Sequence, residues 1–179
     1  MKRLFFVLLS AIGLLLSPWN ERAQAGETLD EILAGLPVIR GAPVSGDALA
    51  GRVVLVAFFA SWCPPCKHEF PHLNTIQNDY ADDGFQVVAV NVFETFDGLS
   101  TPAKLEKFLD ETAPSFSILK GNAETRRVFG NLDRIPTMFL FDREGSLDFV
   151  FRHERDAEQT HLSEAELRAV IDPLLAPTG

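Results

Sequence analysis

The two cysteines of the sequence, Cys63 and Cys66, are separated by only two residues and follow an apolar run. This run, residues 53–59, is typical of a buried strand, and residues 67–80 have the apolar spacing of a helix. The pair therefore lies where a strand ends and a helix begins. Unpaired backbone N–H groups at a helix start favour negative charge, so we expect the thiolate of Cys63 to be stabilised. Because the thiolate is the attacking species, the spacing predicts a redox dithiol in which Cys66 lies one turn deeper.

The first 25 residues have the pattern of a secretory signal peptide. Lys2 and Arg3 precede an apolar run over residues 4–16, and small residues lead to a cleavage-type site at Ala25. We expect cleavage there, which leaves residues 26–179 as a single domain in the periplasm or an equivalent exported compartment. The apolar run is shorter than the ~20 residues that span a bilayer. An uncleaved anchor is the alternative, and the chain would contact a membrane only if that segment were retained.

The composition indicates one globular domain with an acidic surface. The chain has 179 residues and a formal net charge of −9 at pH 7. A length of this kind allows a full core, and a surface this acidic argues against nucleic acid as a partner.

Export also allows a second interpretation of the cysteines, as a structural disulfide. Cys63 and Cys66 would close a very small loop, however. A bridge over so few residues removes little entropy from the unfolded chain, which favours the redox interpretation.

The segments around the dithiol predict an α/β fold. We expect a second buried strand over residues 85–92, which would form a parallel β-α-β unit with the first. Pro71 is expected to kink or divide the helix between them. The further predicted elements are helices at residues 28–33, 47–50, 123–129 and 163–175, a helix opening at Thr101, an edge strand at 36–39, and a hairpin of strands 137–141 and 147–151. The expected order is β-α-β-α, a hairpin and a helix, giving a mixed sheet with helices on both faces.

Four segments together resemble the exported TlpA/ResA-like branch of the thioredoxin superfamily. They are residues 53–66 followed by Glu69-Phe70-Pro71, residues 88–92 followed by Glu94, residues 135–140 beginning Ile135-Pro136-Thr137, and the helical insert between positions 94 and 135. The resemblance implies a thioredoxin-like mixed sheet and a thiol–disulfide oxidoreductase that reduces protein disulfides. It implies neither a cofactor nor a metal.

The resemblance also assigns residues to substrate binding. Pro136 matches a proline whose peptide bond is cis in the family and which faces the cysteines, leaving the backbone of Ile135 to pair with an extended substrate. The alternative is an ordinary trans proline in a turn. Trp62 is expected to shield the disulfide and contact substrate. Pro64 and Pro65 remove two N–H donors from the helix start, which predicts a comparatively reducing couple.

Glu94 is the acid–base candidate that the resemblance implies. Other thioredoxins carry a buried aspartate at the position of Ala57, so their usual proton acceptor is missing here. We expect Glu94 to be a partly buried carboxyl with a raised pKa, which would take the proton of Cys66. The alternative is a solvated glutamate in a loop.

The implied partners are protein disulfides, such as those of apocytochrome c precursors or copper-site assembly proteins, and a membrane electron donor. A disulfide-forming oxidase would use the same cysteines, and a copper-binding assembly chaperone would use them as soft ligands. A peroxidase is disfavoured because Ala60 stands where such an enzyme needs Thr or Ser.

His68 and His72 are expected on the surface of the helix rather than at a metal. Residues 152–156 are predicted to form a solvated loop. Relatives usually have a glycine and a shorter link here, which leaves one wall of the substrate groove undetermined.

Overall fold

The computed structural model describes residues 28–153 and 156–176. The fold is built around one mixed six-stranded β-sheet. The strands are β1 (Val38–Arg40), β2 (Val53–Phe59), β3 (Phe85–Asn91), β4 (Ser117–Lys120), β5 (Thr137–Phe141) and β6 (Leu147–Arg152). The helices are α1 (Leu29–Ala34), α2 (Gly46–Leu49), α3 (Pro64–Tyr80), α4 (Pro102–Thr112), α5 (Ala123–Val128) and α6 (Glu164–Leu175). The predicted signal peptide, residues 1–25, lies outside the described residues.

Strands β2, β3, β4 and β6 run in one direction, and β1 and β5 run in the opposite direction. The order is β1-β4-β3-β2-β5-β6, with β2 parallel to β3 and β3 parallel to β4. β5 pairs antiparallel with β2, and β1 and β6 form antiparallel edges. The predicted β-α-β unit is therefore confirmed, with α3 connecting β2 to β3.

Helices cover both faces of the sheet, as the unbroken apolarity of β2 predicts. Alternate side chains of β2 enter two separate cores. Leu55, Ala57 and Phe59 belong to the core that also holds both cysteines and the buried sides of α3, α4 and α6. Val54, Val56 and Phe58 belong to the core that α1 and α2 close on the opposite face.

Helix α3 begins three residues earlier than its apolar spacing predicts. Cys63 is its N-cap, and Pro64 and Pro65 occupy the first helical positions, where a missing N–H costs nothing. The helix is continuous through Pro71, so of the two expected effects of this proline, a kink or a division, the division is wrong. The capping interactions predicted for Thr101 and for the Ser163–Glu166 box are present. No helix within residues 28–153 and 156–176 combines the length and apolarity that crossing a bilayer requires.

The expected element order is wrong at β4, which the sequence pattern does not predict. The strand has four residues, of which only Ile118 and Leu119 are apolar. It forms a strand because it pairs with a neighbour on each side. Ser117 of β4 pairs with Val88 of β3, and Leu119 of β4 pairs with Val38 of the edge strand β1. The insert is therefore partly β-structure and extends the sheet.

Candidate active site

The two cysteines form a disulfide at the N-terminus of α3. Their Cα atoms lie 5.4 Å apart. The backbone N–H of Cys66 points at the Sγ atom of Cys63, at an N···S distance of 3.3 Å. Since Pro64 and Pro65 have no N–H, this donor is the first that the helix offers to a thiolate at Cys63. The scarcity of donors to a Cys63 thiolate stays a prediction, based on the two prolines that precede this N–H.

Cys63 is almost fully buried in the disulfide form. It is 4% exposed, whereas Cys66 is 0% exposed. The thiolate of a reductant therefore reaches the sulfur of Cys63 before that of Cys66. This supports the prediction that Cys63 is the cysteine that reacts with other molecules and Cys66 the deeper one. Trp62 is half-buried beside it, and the indole Nε1–H donates to the carbonyl oxygen of Phe93 at 2.9 Å.

Pro136 lies next to the end of β2 that leads to the cysteines. Thr137 pairs with Phe58, so Pro136 precedes β5 at the same end of the sheet. The Ile135–Pro136 peptide bond is cis, as the family resemblance implies. Ile135 packs against the core that contains both cysteines, but its carbonyl oxygen lies 3.3 Å from Nε2 of His153. The imidazole occupies one side of this carbonyl and leaves its second lone pair for a substrate N–H.

Glu94 binds the segment that precedes the cysteines rather than the cysteines themselves. Its carboxylate accepts from the backbone N–H of Ser61 at 2.9 Å and from the amide of Asn91 at 2.7 Å. The hydroxyls of Ser61 and Ser100 donate to the other oxygen. Glu94 thereby connects three parts of the chain at the end of the sheet: the segment before Trp62, the end of β3 and the approach to α4.

The expected rise in the pKa of Glu94 is wrong. Burial of the carboxyl raises the pKa, but the hydrogen bonds from Asn91, Ser100 and Ser61 outweigh burial and lower it from 4.5. A carboxylate with a lowered pKa is a poor acceptor for a thiol proton, because it releases the proton again at neutral pH.

We expect Glu94→Gln to destabilise the fold at neutral pH by about 1–3 kcal/mol, because the new NH₂ group faces donors instead of accepting from them. The lowered pKa means that the ionised form stabilises the folded state above pH 4.5 and that this contribution is lost as the pH falls through the folded-state pKa. Urea unfolding at pH 7 and at pH 3.5 should therefore give a smaller difference from wild type at the lower pH. The exposed loop variant Glu144→Gln is the control, and an equal loss at both pH values would contradict the assignment.

Glu69 is the buried carboxyl that the site contains instead. It lies three residues after Cys66 on α3 and is 2% exposed. Its Oε1 atom accepts the backbone N–H of Leu162 at 3.1 Å. Burial raises the pKa of Glu69 to about 8, and the hydrogen bond from Leu162 offsets this only in part. Ala57 stands where other thioredoxins carry an aspartate, so that position has no carboxyl here. Glu69, on the same helix face as Cys66, is a carboxyl that can take over its role.

A family model described as Redoxin matches residues 31–171, a range that includes the disulfide, Glu69, Glu94 and Pro136. The chain belongs to the Redoxin family. The resemblance to the TlpA/ResA-like branch of the thioredoxin superfamily is confirmed by individual relatives as well.

The relatives of this chain include proteins named thiol-disulfide oxidoreductase ResA. The protein of Geobacillus kaustophilus is 30% identical over 54% of this chain and 52% of its own length. The protein of Halalkalibacterium halodurans is 26% identical over 70% of this chain and 66% of its own length. The chain thus spans about half to two thirds of the length of these curated relatives. A solved thiol:disulfide interchange protein of the thioredoxin family from Chlorobium tepidum is 27% identical with a TM-score of 0.64, covering 78% of this chain and 91% of that one.

Within this family fold, Glu69 was detectable from its position in the helix. It lies at i+3 from Cys66, i−4 from Leu73 and i−7 from Ile76, on the stripe that enters the core. A carboxyl on a buried stripe beside a redox cysteine is a proton-transfer candidate. A helix that begins at position 67, as the apolar spacing predicts, leaves Cys66 out of this stripe and hides the relation between the two side chains.

The histidines of α3 face the loop that precedes α6. His68 is exposed and its ring stacks on that of His161, with the centroids 6.2 Å apart. His72 is half-buried, and its Nδ1 lies 3.4 Å from the carbonyl oxygen of Leu162. Across residues 28–153 and 156–176, no group of three or more His, Cys, Asp or Glu side chains could hold a metal ion.

Proposed function

We propose that this protein is an exported thiol–disulfide oxidoreductase that reduces disulfides in other proteins. The observation that carries the proposal is the Cys63–Cys66 disulfide at the start of α3, in which only Cys63 has exposed surface. The relatives named thiol-disulfide oxidoreductase support the reaction class.

The reaction begins from the dithiol. The thiolate of Cys63 attacks one sulfur of the substrate disulfide, forming a mixed disulfide and releasing the other substrate sulfur as a thiolate. Cys66 then loses its proton and attacks the sulfur of Cys63. This second step releases the remaining substrate sulfur as a thiolate and leaves Cys63 and Cys66 joined, so two electrons pass from the protein to the substrate.

Glu69 receives the proton that Cys66 loses. The carboxyl shares a helix face with Cys66, and its pKa of about 8 lets it hold that proton at neutral pH. Only the ionised carboxylate can accept the proton, so this step should become faster as the pH rises toward 8. The disulfide form of the protein is the state after the transfer, and in this state a carboxyl with that pKa is mostly protonated. When a reductant reopens the disulfide, the same carboxyl returns the proton to Cys66.

The other predicted site residues position the substrate and the attacking segment. Glu94 holds Ser61 and so orients the Trp62–Cys63 segment, rather than accepting a proton. Trp62 covers one side of the disulfide and Ile135 and Pro136 form the other wall, where an extended substrate segment would lie.

Export and electron supply are further parts of the proposal. The signal-peptide pattern of residues 1–25 supports export, with the uncleaved anchor as the alternative. The spent disulfide must be reduced again outside the cytosol, which requires a membrane electron donor. Apocytochrome c precursors and copper-site assembly proteins are the proposed substrate classes.

Trapping tests the proposal in cells. We expect Cys66→Ser to accumulate a mixed disulfide on Cys63, since the second attack cannot occur, and dithiothreitol should release the captured protein. Cys63→Ser is the matched control and should capture nothing. The measured reduction potential of the wild-type pair should lie well below the ~ −120 mV of strong oxidants. A potential at that value would favour the oxidase, and tight Cu(I) binding without disulfide reduction would favour the copper chaperone.

A further inference from the structure

A cleft opens at the same end of the sheet as the disulfide. It has a volume of about 430 Å³ and lies where β3 and β4 end, at the carboxyl ends of the parallel strands. Residues 91–96 line one side, and Lys120, Gly121, Asn122, Ala123 and Arg126 line the other. Neither cysteine lines it, so the disulfide chemistry leaves the cleft unexplained.

The cleft is joined to the active site through Trp62 and Phe93. The indole of Trp62 donates to the carbonyl oxygen of Phe93, and its ring stacks on that of Phe96 with the centroids 5.9 Å apart. Phe93 has a φ of +57°, a backbone conformation that bulky residues rarely adopt. Such a conformation persists where the surroundings enforce it and is concentrated at functional sites. Here it directs the Phe93 carbonyl to Trp62.

The charge of the cleft is opposite to that of the protein. Lys120 and Arg126 are cationic, and the Arg126 guanidinium carbon lies 4.7 Å from the centroid of the Phe93 ring. Glu94 is the carboxylate in the lining, and its oxygens already accept hydrogen bonds from Ser61, Asn91 and Ser100. Among the described residues no carboxylate forms an ion pair with either cation, whereas the whole chain has a net charge of −9.

An apolar surface borders the cleft on the side of the disulfide. Phe96 is 57% exposed and Leu99 is 42% exposed, both in the segment between β3 and α4. Large apolar side chains exposed beside a reactive pair are typical of a surface that contacts a partner.

We infer that this cleft binds an acidic side chain of the substrate polypeptide, located a few residues from the cysteine that Cys63 attacks. The carboxylate is held by Lys120 and Arg126, and an apolar neighbour in the substrate packs on Phe96. The inference rests on the proposed reduction of protein disulfides. It adds that disulfides with an acidic residue nearby in the substrate sequence are preferred. The acidic surface elsewhere repels such a partner, so the cleft orients the substrate locally.

Paired peptide disulfides test this inference. Each peptide carries one cysteine joined by a disulfide to the same neutral thiopyridine reporter. The two members of a pair differ only at one position, two or three residues before or after the cysteine, which is glutamate in one and glutamine in the other. We expect the reduced wild-type protein to react about fivefold faster with the glutamate peptide at low salt, which is the upper range for exposed charge pairs. The preference should shrink at high ionic strength, because salt screens such contacts.

Variants separate the cleft from the rest of the surface. In the double variant K120Q/R126Q we expect the glutamate-to-glutamine rate ratio to fall below twofold, and K120R/R126K, which keeps both charges, should restore it. Lys107→Gln, on the exposed side of α4, is the matched control and should keep the wild-type ratio. Circular dichroism of each variant establishes that it is folded.

Two results would overturn the inference: a wild-type ratio below twofold, or a ratio that survives in K120Q/R126Q. If the glutamine peptide is reduced normally while the ratio is near one, only the cleft assignment fails. If neither peptide is reduced, the proposed function fails and the inference fails with it.

Discussion

Glu69→Gln is expected to slow the release of the mixed disulfide by about 100-fold at neutral pH, the lower range for loss of a general acid–base group. Glutamine has nearly the shape of the protonated carboxyl and keeps an oxygen for the Leu162 N–H. It cannot accept a proton, so Cys66 must lose its proton to solvent from a fully buried position. The first attack by Cys63 needs no such transfer and should change much less.

Single-turnover kinetics distinguish the two steps. The reduced protein is mixed with a disulfide that carries a reporter on each half, so that formation and decay of the mixed disulfide are observed separately. The wild-type decay rate should change with pH as the Glu69 carboxyl ionises, and the variant should lack that dependence. Higher pH should partly rescue the variant, because hydroxide then deprotonates Cys66 directly.

Glu94→Gln is the informative control for this experiment, since Glu94 is a half-buried carboxyl near the site, whereas Glu69 is fully buried. If Glu94→Gln slows the decay and Glu69→Gln does not, Glu94 is the proton acceptor and the mechanism proposed here is wrong. If both variants leave the decay unchanged, Cys66 exchanges its proton with solvent. A slowing confined to the first step in Glu94→Gln would agree with its contact to Ser61.

The features that could be predicted from sequence are those determined by neighbouring residues. Cys63 and Cys66 follow a buried strand and start a helix, and local spacing is enough to place them at an N-terminus. The strand β2 and the caps of α4 and α6 are similarly local. The role of Pro136 is predictable from the family resemblance, because Ile135, Pro136 and Thr137 form a recognisable triplet.

The features that could not be predicted depend on contacts between distant parts of the chain. Burial raises the pKa of Glu94, but hydrogen bonds from Asn91, Ser100 and Ser61 together lower it, and Ser61 is 33 positions away. The hydrogen bond to Glu69 comes from Leu162, 93 positions away, in the long link before α6. β4 likewise exists only because β1 and β3 flank it.

The stability of the oxidised protein should fall with rising pH because of Glu69, and Glu69→Gln should remove this dependence. The pKa of Glu69 is 4.5 in its ordinary state and about 8 in the fold, so the folded state retains a proton that the unfolded state releases. The stabilisation is complete below pH 4.5 and is lost as the pH rises toward 8. Each pH unit in this interval costs about 1.4 kcal/mol, or about 4 kcal/mol between pH 5 and pH 8.

Urea unfolding of the wild type and of Glu69→Gln, both kept oxidised, measures this difference. Other titrating groups contribute equally to both proteins, so the gap between their free energies of unfolding isolates Glu69. The variant should gain on the wild type steadily from pH 5 to pH 8, with Glu144→Gln following the wild type throughout. Parallel curves would mean that the Glu69 carboxyl ionises in the folded protein near its ordinary pKa. It could then not hold the proton of Cys66 at neutral pH, and the kinetic prediction would lose its physical basis.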